Sequence, residues 1–305
     1  MKILLTGGGG FLGHFVKKEL SDRGYYNVFV PRKKDYDLTR SLDVHKLFHD
    51  VEPTVVVHLA AEVGGIGANM ANGGRFFYAN MAMGLNLIEV SRLWKVDKFV
   101  QVGTVCAYPK FCDAPFMEED IWDGYPEETN APYGVAKKAL FVMLDAYQKQ
   151  YNLNSCVIVP TNLYGPYDNF NPDSSHVIPA LIRKFIEAKD RNLPNVTCWG
   201  DGSATREFLY VEDAARAIVD GMEKVNDPSP INVGSGKEVS IMVLADIIKE
   251  LVQYRGDILW DCSKPNGQPR RFLNVAKAKQ LLGWEAKQDF VEGLKKTIDW
   301  YLSTL

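Results

Sequence analysis

Tyr133 and Lys137 stand four residues apart in the run Tyr133-Gly134-Val135-Ala136-Lys137. In a helix that spacing puts both side chains on one face, one turn apart. A tyrosine phenol ordinarily titrates near a pKa of about 10. It becomes useful for moving protons at neutral pH when a nearby positive charge stabilises its ionised form, and Lys137 can supply that charge. The spacing also occurs on surface helices, where a half-exposed tyrosine beside a solvated lysine does no chemistry. Upstream, Thr104-Val105-Cys106 follows an apolar run and adds a hydroxyl and a thiol, so the elements that would bring these groups together decide the reading.

The first element is at the amino terminus. Lys2-Ile3-Leu4-Leu5-Thr6 reads as a short buried strand and runs into Gly7-Gly8-Gly9-Gly10-Phe11-Leu12-Gly13. Phe11, Leu12, Phe15, Val16 and Leu20 then recur at helical spacing. Glycines 7, 10 and 13 permit a tight turn, close approach of backbone to a pyrophosphate, and close packing of helix on strand, while the helix amino terminus faces the anion. A flexible linker would not sit between an apolar strand and an amphipathic helix, so the segment is read as a dinucleotide-binding turn. After Val28-Phe29-Val30 come Pro31, Arg32, Lys33 and Lys34. An acidic residue there would suit the ribose of NAD; a basic one suits the extra phosphate of NADP(H). Arg32 is the expected phosphate contact, with Lys33 beside it.

Further strands are expected at Asn27 to Val30, Thr54 to Leu59, Lys98 to Gly103 and Ser155 to Val159, with helical patterns between them. This alternation predicts an α/β fold: a Rossmann-like, doubly wound parallel sheet, with a smaller α/β substrate-binding region towards the carboxyl terminus. Ligands collect at the carboxyl ends of such strands, which gathers Gly7, Ala60-Ala61, Thr104 to Cys106 and Pro160 to Asn162 at one crevice. From about Pro172 the pattern is less regular, with a helix near Pro179 to Ala188 and strand candidates at Val196 to Trp199 and Ile231 to Val233. The expected division is 1–171 for the dinucleotide part and 172–305 for the substrate part, with 208–230 returning to the main sheet.

The chain has 305 residues, a formal net charge of −3 and no basic run. It offers no electrostatic footprint for nucleic acid or an anionic membrane. No apolar stretch approaches a membrane span and no signal-peptide layout opens the chain, so a cytoplasmic location is expected. The five cysteines, Cys106, Cys112, Cys156, Cys198 and Cys262, are scattered without metal-ligand spacing, and neither a disulfide framework nor a metal site is expected.

In order along the chain, TGGGGFLG, HLAA at 58–61, GTVCAYP, YGVAK, PTNLYGP and REFLYVED resemble the extended short-chain dehydrogenase/reductase superfamily. Within it, Ala61 to Ile66, Cys106 to Lys110, Asp168-Asn169-Phe170, Ser175 to Leu181 and Lys264 to Arg270 resemble the GDP-L-fucose synthase family over about two thirds of the chain. That family epimerises and reduces GDP-4-keto-6-deoxy-D-mannose with NADPH.

The resemblance implies that Thr104 stands where the family has serine and works with Tyr133 and Lys137 on a substrate carbonyl. Threonine keeps the hydroxyl and adds a methyl. Cys106 and His176 match the pair that exchanges protons on the carbons flanking the keto group. Those protons are acidic because the enolate left behind is delocalised, and histidine and cysteine both titrate within reach of neutrality. Cofactor contacts are implied at Gly7, Gly10, Phe11, Leu12, Gly13, Arg32, Asp37, Leu38, Leu59, Ala60, Ala61, Tyr133, Lys137, Pro160, Asn162, Leu163 and His176. Nucleotide-sugar contacts are implied at Asn162, Val177, Lys184, Trp199, Arg206 and Lys264, of which Arg206 suits a diphosphate through its planar, permanent charge. The family's basic residue inside the glycine turn is replaced by Gly9. A homodimer is implied, paired through helices near Phe76 to Trp94 and Pro132 to Gln150.

Three other readings stay open on the sequence. A nucleotide-sugar 4,6-dehydratase normally carries an Asp-Glu pair after its threonine, where this chain has Val105 and Cys106. An epimerase or reductase of another GDP-4-keto sugar, such as a 6-deoxy-heptose, would accommodate Thr104. A non-catalytic NADP(H)-binding sensor would have no need of Tyr133, Lys137, Cys106 and His176 together.

Overall fold

Strands made of consecutive apolar residues must be covered on both faces, because their side chains alternate between the two sides. In Ile3–Thr6, Val55–His58, Lys98–Val102 and Ser155–Pro160 every residue is buried. The computed structural model describes residues 1–172, 174–264 and 268–305, apart from the Ile66 side chain. Pro265, Asn266 and Gly267, in the middle of the Lys264 to Arg270 motif, lie outside the described residues. The four strands form a parallel sheet with Val28–Phe29 at one edge and Pro230–Val233 at the other, in the order Val28–Phe29, Ile3–Thr6, Val55–His58, Lys98–Val102, Ser155–Pro160, Pro230–Val233.

Leu4, Val56, Phe99 and Val157 point to one face and pack on helices Ser41–Val51, Ile66–Leu93 and Ala131–Tyr151. Ile3, Leu5, Val57, Val100 and Ile158 point to the other and pack on Phe11–Asp22, Val211–Lys224 and Ala276–Leu282. This is the doubly wound arrangement, and it sets the strand carboxyl ends along one rim.

The expected strand Asn27 to Val30 shortens to Val28–Phe29, an edge strand with a single neighbour. Two expectations for the carboxyl-terminal half change more. The strand containing Ile231 to Val233 belongs to the main sheet, paired with Ser155–Pro160, rather than to the substrate region. Phe208 to Tyr210 does not return to the main sheet. It lies in Thr205–Tyr210, which pairs with Asn162–Tyr164, Glu238–Ser240 and Arg270–Arg271 in a second sheet. The chain crosses back only at the amphipathic helix Val211–Lys224, whose buried face of Ala214, Ala215, Ile218 and Val219 covers the main sheet.

The second sheet is pinned by a buried carboxylate. Glu207 accepts the backbone N–H of Gly236 at 2.6 Å and of Leu273 at 2.9 Å. Burial pushes its pKa up to about 7 against the pull of these donors. The strand Asn195–Trp199 forms as expected and pairs with Asp257–Asp261. Around these strands Ile182, Phe185, Leu244, Ile248 and Leu294 build a third apolar core.

Candidate active site

Thr104 leaves the end of Lys98–Val102 in extended conformation, and its hydroxyl accepts the Cys106 N–H at 3.2 Å, turning the chain into the short helical turn Val105–Ala107. Helix Ala131–Tyr151 begins against that turn, with Pro132 in its first turn, where a missing N–H breaks no helical bond. Gly134 lies against the Cys106 carbonyl, and a Cβ there would overlap the carbonyl oxygen. The bare glycine therefore allows the contact that sets Tyr133 beside Thr104, whose hydroxyl hydrogen-bonds the phenol. One turn on, Lys137 is buried and donates from Nζ to the Val102 carbonyl at 3.1 Å.

Burial dominates the electrostatics of this cluster. It raises the Tyr133 pKa, with Cys106 adding to the rise and the Thr104 hydrogen bond opposing it. Burial also lowers Lys137 to about 8. Burial thus favours the protonated phenol, and the expected depression by Lys137 does not figure among the influences on it. His58 lies behind them, fully buried, with its Nδ1 at 2.8 Å from the Thr6 hydroxyl. Burial first, and the Lys137 charge second, keep this imidazole neutral.

The cluster opens into a cleft of about 980 Å³ along the strand ends, a volume at the upper end of small-molecule sites. At one end lie Gly7, Gly10, Phe11, Leu12 and Gly13. Gly7 has φ +73°, and a Cβ on it would come within 2.7 Å of the Ala60 nitrogen. A pyrophosphate fits this turn, where the helix Phe11–Asp22 begins and a Cβ on Gly9 would meet nothing within 4 Å. Asp37, Leu38, Leu59, Ala60, Ala61, Pro160, Asn162 and Leu163 continue the same wall. Asp37 accepts from the Thr39 hydroxyl at 2.7 Å and from its N–H at 3.0 Å, and these bonds hold its pKa below the usual carboxylate range.

His176, Val177, Lys184, Trp199 and Arg206 line the other end. His176 immediately precedes helix Val177–Asp190, makes no side-chain capping hydrogen bond, and is exposed to the cleft. The walls around it nevertheless remove enough solvent to lower its pKa. Lys184 donates to the Thr197 carbonyl at 3.2 Å, and Asn162 donates to the Glu207 carbonyl at 2.9 Å. Arg206 donates to the Gln268 carbonyl at 2.6 Å. Burial, and then the neighbouring Arg271, bring its pKa down to about 10 against the attraction of Glu127.

Two expected residues stand apart from the lining. Arg32 turns outward to Asp35 at 3.1 Å, and Lys33 faces the cleft instead, paired with Glu62 at 3.0 Å. Lys264 sits at the rim, 5.7 Å over the Trp199 ring.

The cleft also contains residues that sequence reasoning missed: Glu127, Thr129 and Asn130 before the catalytic helix, Ser175, Gln268 and Arg271. Ser175 Oγ is buried without a hydrogen-bond partner among the described residues. Ser175 and Gln268 had a signal, since they fall within the motifs Ser175 to Leu181 and Lys264 to Arg270; the others carry no spacing relative to Tyr133.

The model of the NAD dependent epimerase/dehydratase family matches residues 3–234. This chain belongs to that family. Within it, the probable GDP-L-fucose synthase 1 of Oryza sativa subsp. japonica is 41% identical over 100% of this chain and 93% of its own length. Among solved structures, a GDP-6-OMe-4-keto-L-xylo-heptose reductase from C. jejuni superposes with a TM-score of 0.94 at 28% identity, covering 100% of this chain and 98% of that one. A GDP-L-fucose synthetase from Naegleria fowleri bound to NADP gives a TM-score of 0.90 at 28% identity, covering 99% and 94%. In this chain the glycine turn and the helix that carries Tyr133 and Lys137 line the same cleft at the strand ends. Among the described residues no group of His, Cys, Asp or Glu is arranged to hold a metal, and no helix is long and apolar enough to cross a membrane.

Proposed function

We propose that this protein is an NADP(H)-dependent enzyme that epimerises GDP-4-keto-6-deoxy-D-mannose at C3 and C5 and reduces its C4 ketone, giving GDP-L-fucose. The observation that carries this reading is the convergence of Thr104, Cys106, Tyr133, Lys137 and His176 on one cleft in a chain 41% identical, end to end, to a GDP-L-fucose synthase. In this reading 1–171 bind the cofactor and 172–305 supply most contacts to the GDP-sugar.

Thr104 and Tyr133 donate to the C4 oxygen, which stabilises the enolate formed when a proton leaves C3 or C5. Cys106, on the turn after its strand, and His176, at the start of its helix, remove and return those protons. Gly7 to Gly13 and Leu59 to Ala61 would hold NADP(H), which would supply the hydride for C4. Tyr133 gives its proton to the oxygen as the alcohol forms, and the Lys137 ammonium one turn away stabilises the phenolate left behind.

Turnover of GDP-4-keto-6-deoxy-D-mannose in heavy water tests this directly. Deuterium at C3 and C5 together with NADPH-dependent GDP-L-fucose supports it; NADPH consumption without label reduces the protein to a simple 4-reductase. A second reading, action on a related GDP-4-keto heptose, draws on the 0.94 TM-score with the heptose reductase and on the methyl that Thr104 adds beside the sugar. Parallel assays with both sugars separate the two.

We further propose a homodimer. Phe77, Tyr78, Leu85 and Val142 are exposed on helices Ile66–Leu93 and Ala131–Tyr151, which also pack against each other. A monomeric mass by light scattering at micromolar concentration would reject it.

A further inference from the structure

Glu127 lies on the segment that leads into helix Ala131–Tyr151 and faces the cleft. One of its side-chain oxygens is tied down twice: Thr129 Oγ1 donates to Oε2 at 2.5 Å, and Asn130 Nδ2 donates to the same atom at 3.0 Å. The backbone is held as well. The Asn130 N–H donates to the Glu127 carbonyl at 3.0 Å, and the Gly134 N–H donates to the Asn130 carbonyl at 2.9 Å. Glu127 is thereby fixed to the first turn of the helix that carries Tyr133. Its other oxygen, Oε1, accepts no hydrogen bond among the described residues. A carboxyl group ordered through one oxygen and open at the other is an acceptor prepared for a ligand's donor.

The neighbours narrow down which donor. Arg206, on the second sheet, feels the attraction of Glu127 and donates to the Thr205 and Gln268 carbonyls. Arg271 donates from Nε to Gln268 Oε1 at 3.0 Å and sets Nη1 3.9 Å from Cys106 Sγ. Phosphate oxygens are acceptors and suit the arginine forks, whereas a carboxyl oxygen needs the part of the ligand that carries hydroxyls. In the proposed reaction C1 carries the diphosphate, C4 is the ketone and C6 is a methyl. The ring hydroxyls stand at C2 and C3, and the one at C3 changes side on epimerisation. The C2 hydroxyl keeps its configuration throughout, which suits an acceptor held rigidly one turn from Tyr133. We propose that Glu127 is a specificity-determining residue whose Oε1 accepts a hydrogen bond from the C2 hydroxyl of the sugar and so registers the ring against Tyr133. This rests on the GDP-sugar reading above.

The test is calorimetric binding of GDP-L-fucose and of GDP-2-deoxy-L-fucose to the NADP+-loaded protein. Wild type should bind the 2-deoxy compound about tenfold more weakly, the worth of roughly one hydrogen bond. In Glu127→Ala the two should bind alike, with GDP and NADP+ affinities near wild type. The readout is a ratio, so general damage to the cleft, which weakens both ligands together, does not move it. Equal binding of the two by wild type, or none, overturns the proposal without any variant. A preference that survives in Glu127→Ala overturns it too. Loss of NADP+ affinity in Glu127→Ala with the sugar preference intact would put the carboxyl on a cofactor hydroxyl and equally sink the idea. Heavy-water turnover of the keto sugar reports on the substrate assignment without any 2-deoxy ligand, so the two failures are distinguishable: labelled turnover with no preference for the C2 hydroxyl removes the Glu127 contact alone.

Discussion

The two ends of the cleft are built by different means. The glycine end is assembled from backbone: a strand, a tight turn and a helix start within the first thirteen residues, backed by the ends of neighbouring strands. The other end is assembled from long side chains carried on elements far apart in the chain: Lys184 on helix Val177–Asp190, Trp199 on the strand paired with Asp257–Asp261, and Arg206 and Arg271 on neighbouring strands of the second sheet. Local steric rules govern the first; tertiary pairing and a buried carboxylate govern the second. The proposed catalytic cluster lies between them, with Tyr133, Lys137 and Thr104 from the dinucleotide side and Arg271 reaching in from the other.

The largest effect is expected where the two ends meet. Tyr133→Phe removes the proposed proton donor and keeps the ring, so NADPH oxidation with the keto sugar should fall by about 10²–10⁴-fold while calorimetric binding of NADPH and of GDP stays near wild type. A uniform loss of binding at both ends would instead show that the phenol holds the cleft together.

Glu207→Ala separates the ends. It leaves the Gly236 and Leu273 N–H groups buried without their acceptor, at a cost of about 1–3 kcal/mol for each. The loss should appear as a raised KM for the GDP-sugar with NADPH binding retained, and a matching loss of NADPH affinity would break the contrast drawn here. The same residue gives a pH dependence. Its folded pKa of about 7 lies above the ordinary carboxylate value of 4.5, so its contribution is fully present below pH 4.5 and is lost as pH rises through 7. Glu207→Gln should flatten that part of a denaturation profile.

Lys137→Met is expected to abolish reduction yet stabilise the fold at pH 7 by about 1–3 kcal/mol. The folded pKa of about 8 lies below the ordinary 10.5, so the penalty for burying the charge is complete below pH 8 and fades as pH rises towards 10.5. Urea denaturation of both proteins across that window should show the gap closing; a constant gap would place its origin in packing.

The smallest effect is expected at the glycine end. Gly9→Arg puts a basic side chain where a Cβ meets open space and should raise the preference for NADPH over NADH about tenfold, the worth of roughly one phosphate contact. Lys33→Ala, at the residue that faces the cleft, should lower that preference more than Arg32→Ala does.

The catalytic spacing and the glycine turn were legible in the sequence because each depends on short-range geometry: a helical turn brings residues four apart together, and only glycine accepts the backbone of position 7. The strand alternation likewise specified the doubly wound sheet, since runs such as Val55 to His58 must be covered on both sides. Which basic residue of the turn faces the cleft was not legible, because adjacent residues in a turn point different ways: Arg32 pairs with Asp35, and Glu62 holds Lys33 at the cleft.

By itself, then, the sequence determined the dinucleotide turn, the tyrosine-lysine pair and the class of sheet, all consequences of steric and periodic rules acting over a few residues. Only the tertiary structure decided that Pro230–Val233 closes the main sheet, that Thr205–Tyr210 stays in the second, and that Arg271 meets Cys106. Those outcomes depend on which distant strands pair and which apolar faces they cover, and no local spacing encodes that choice.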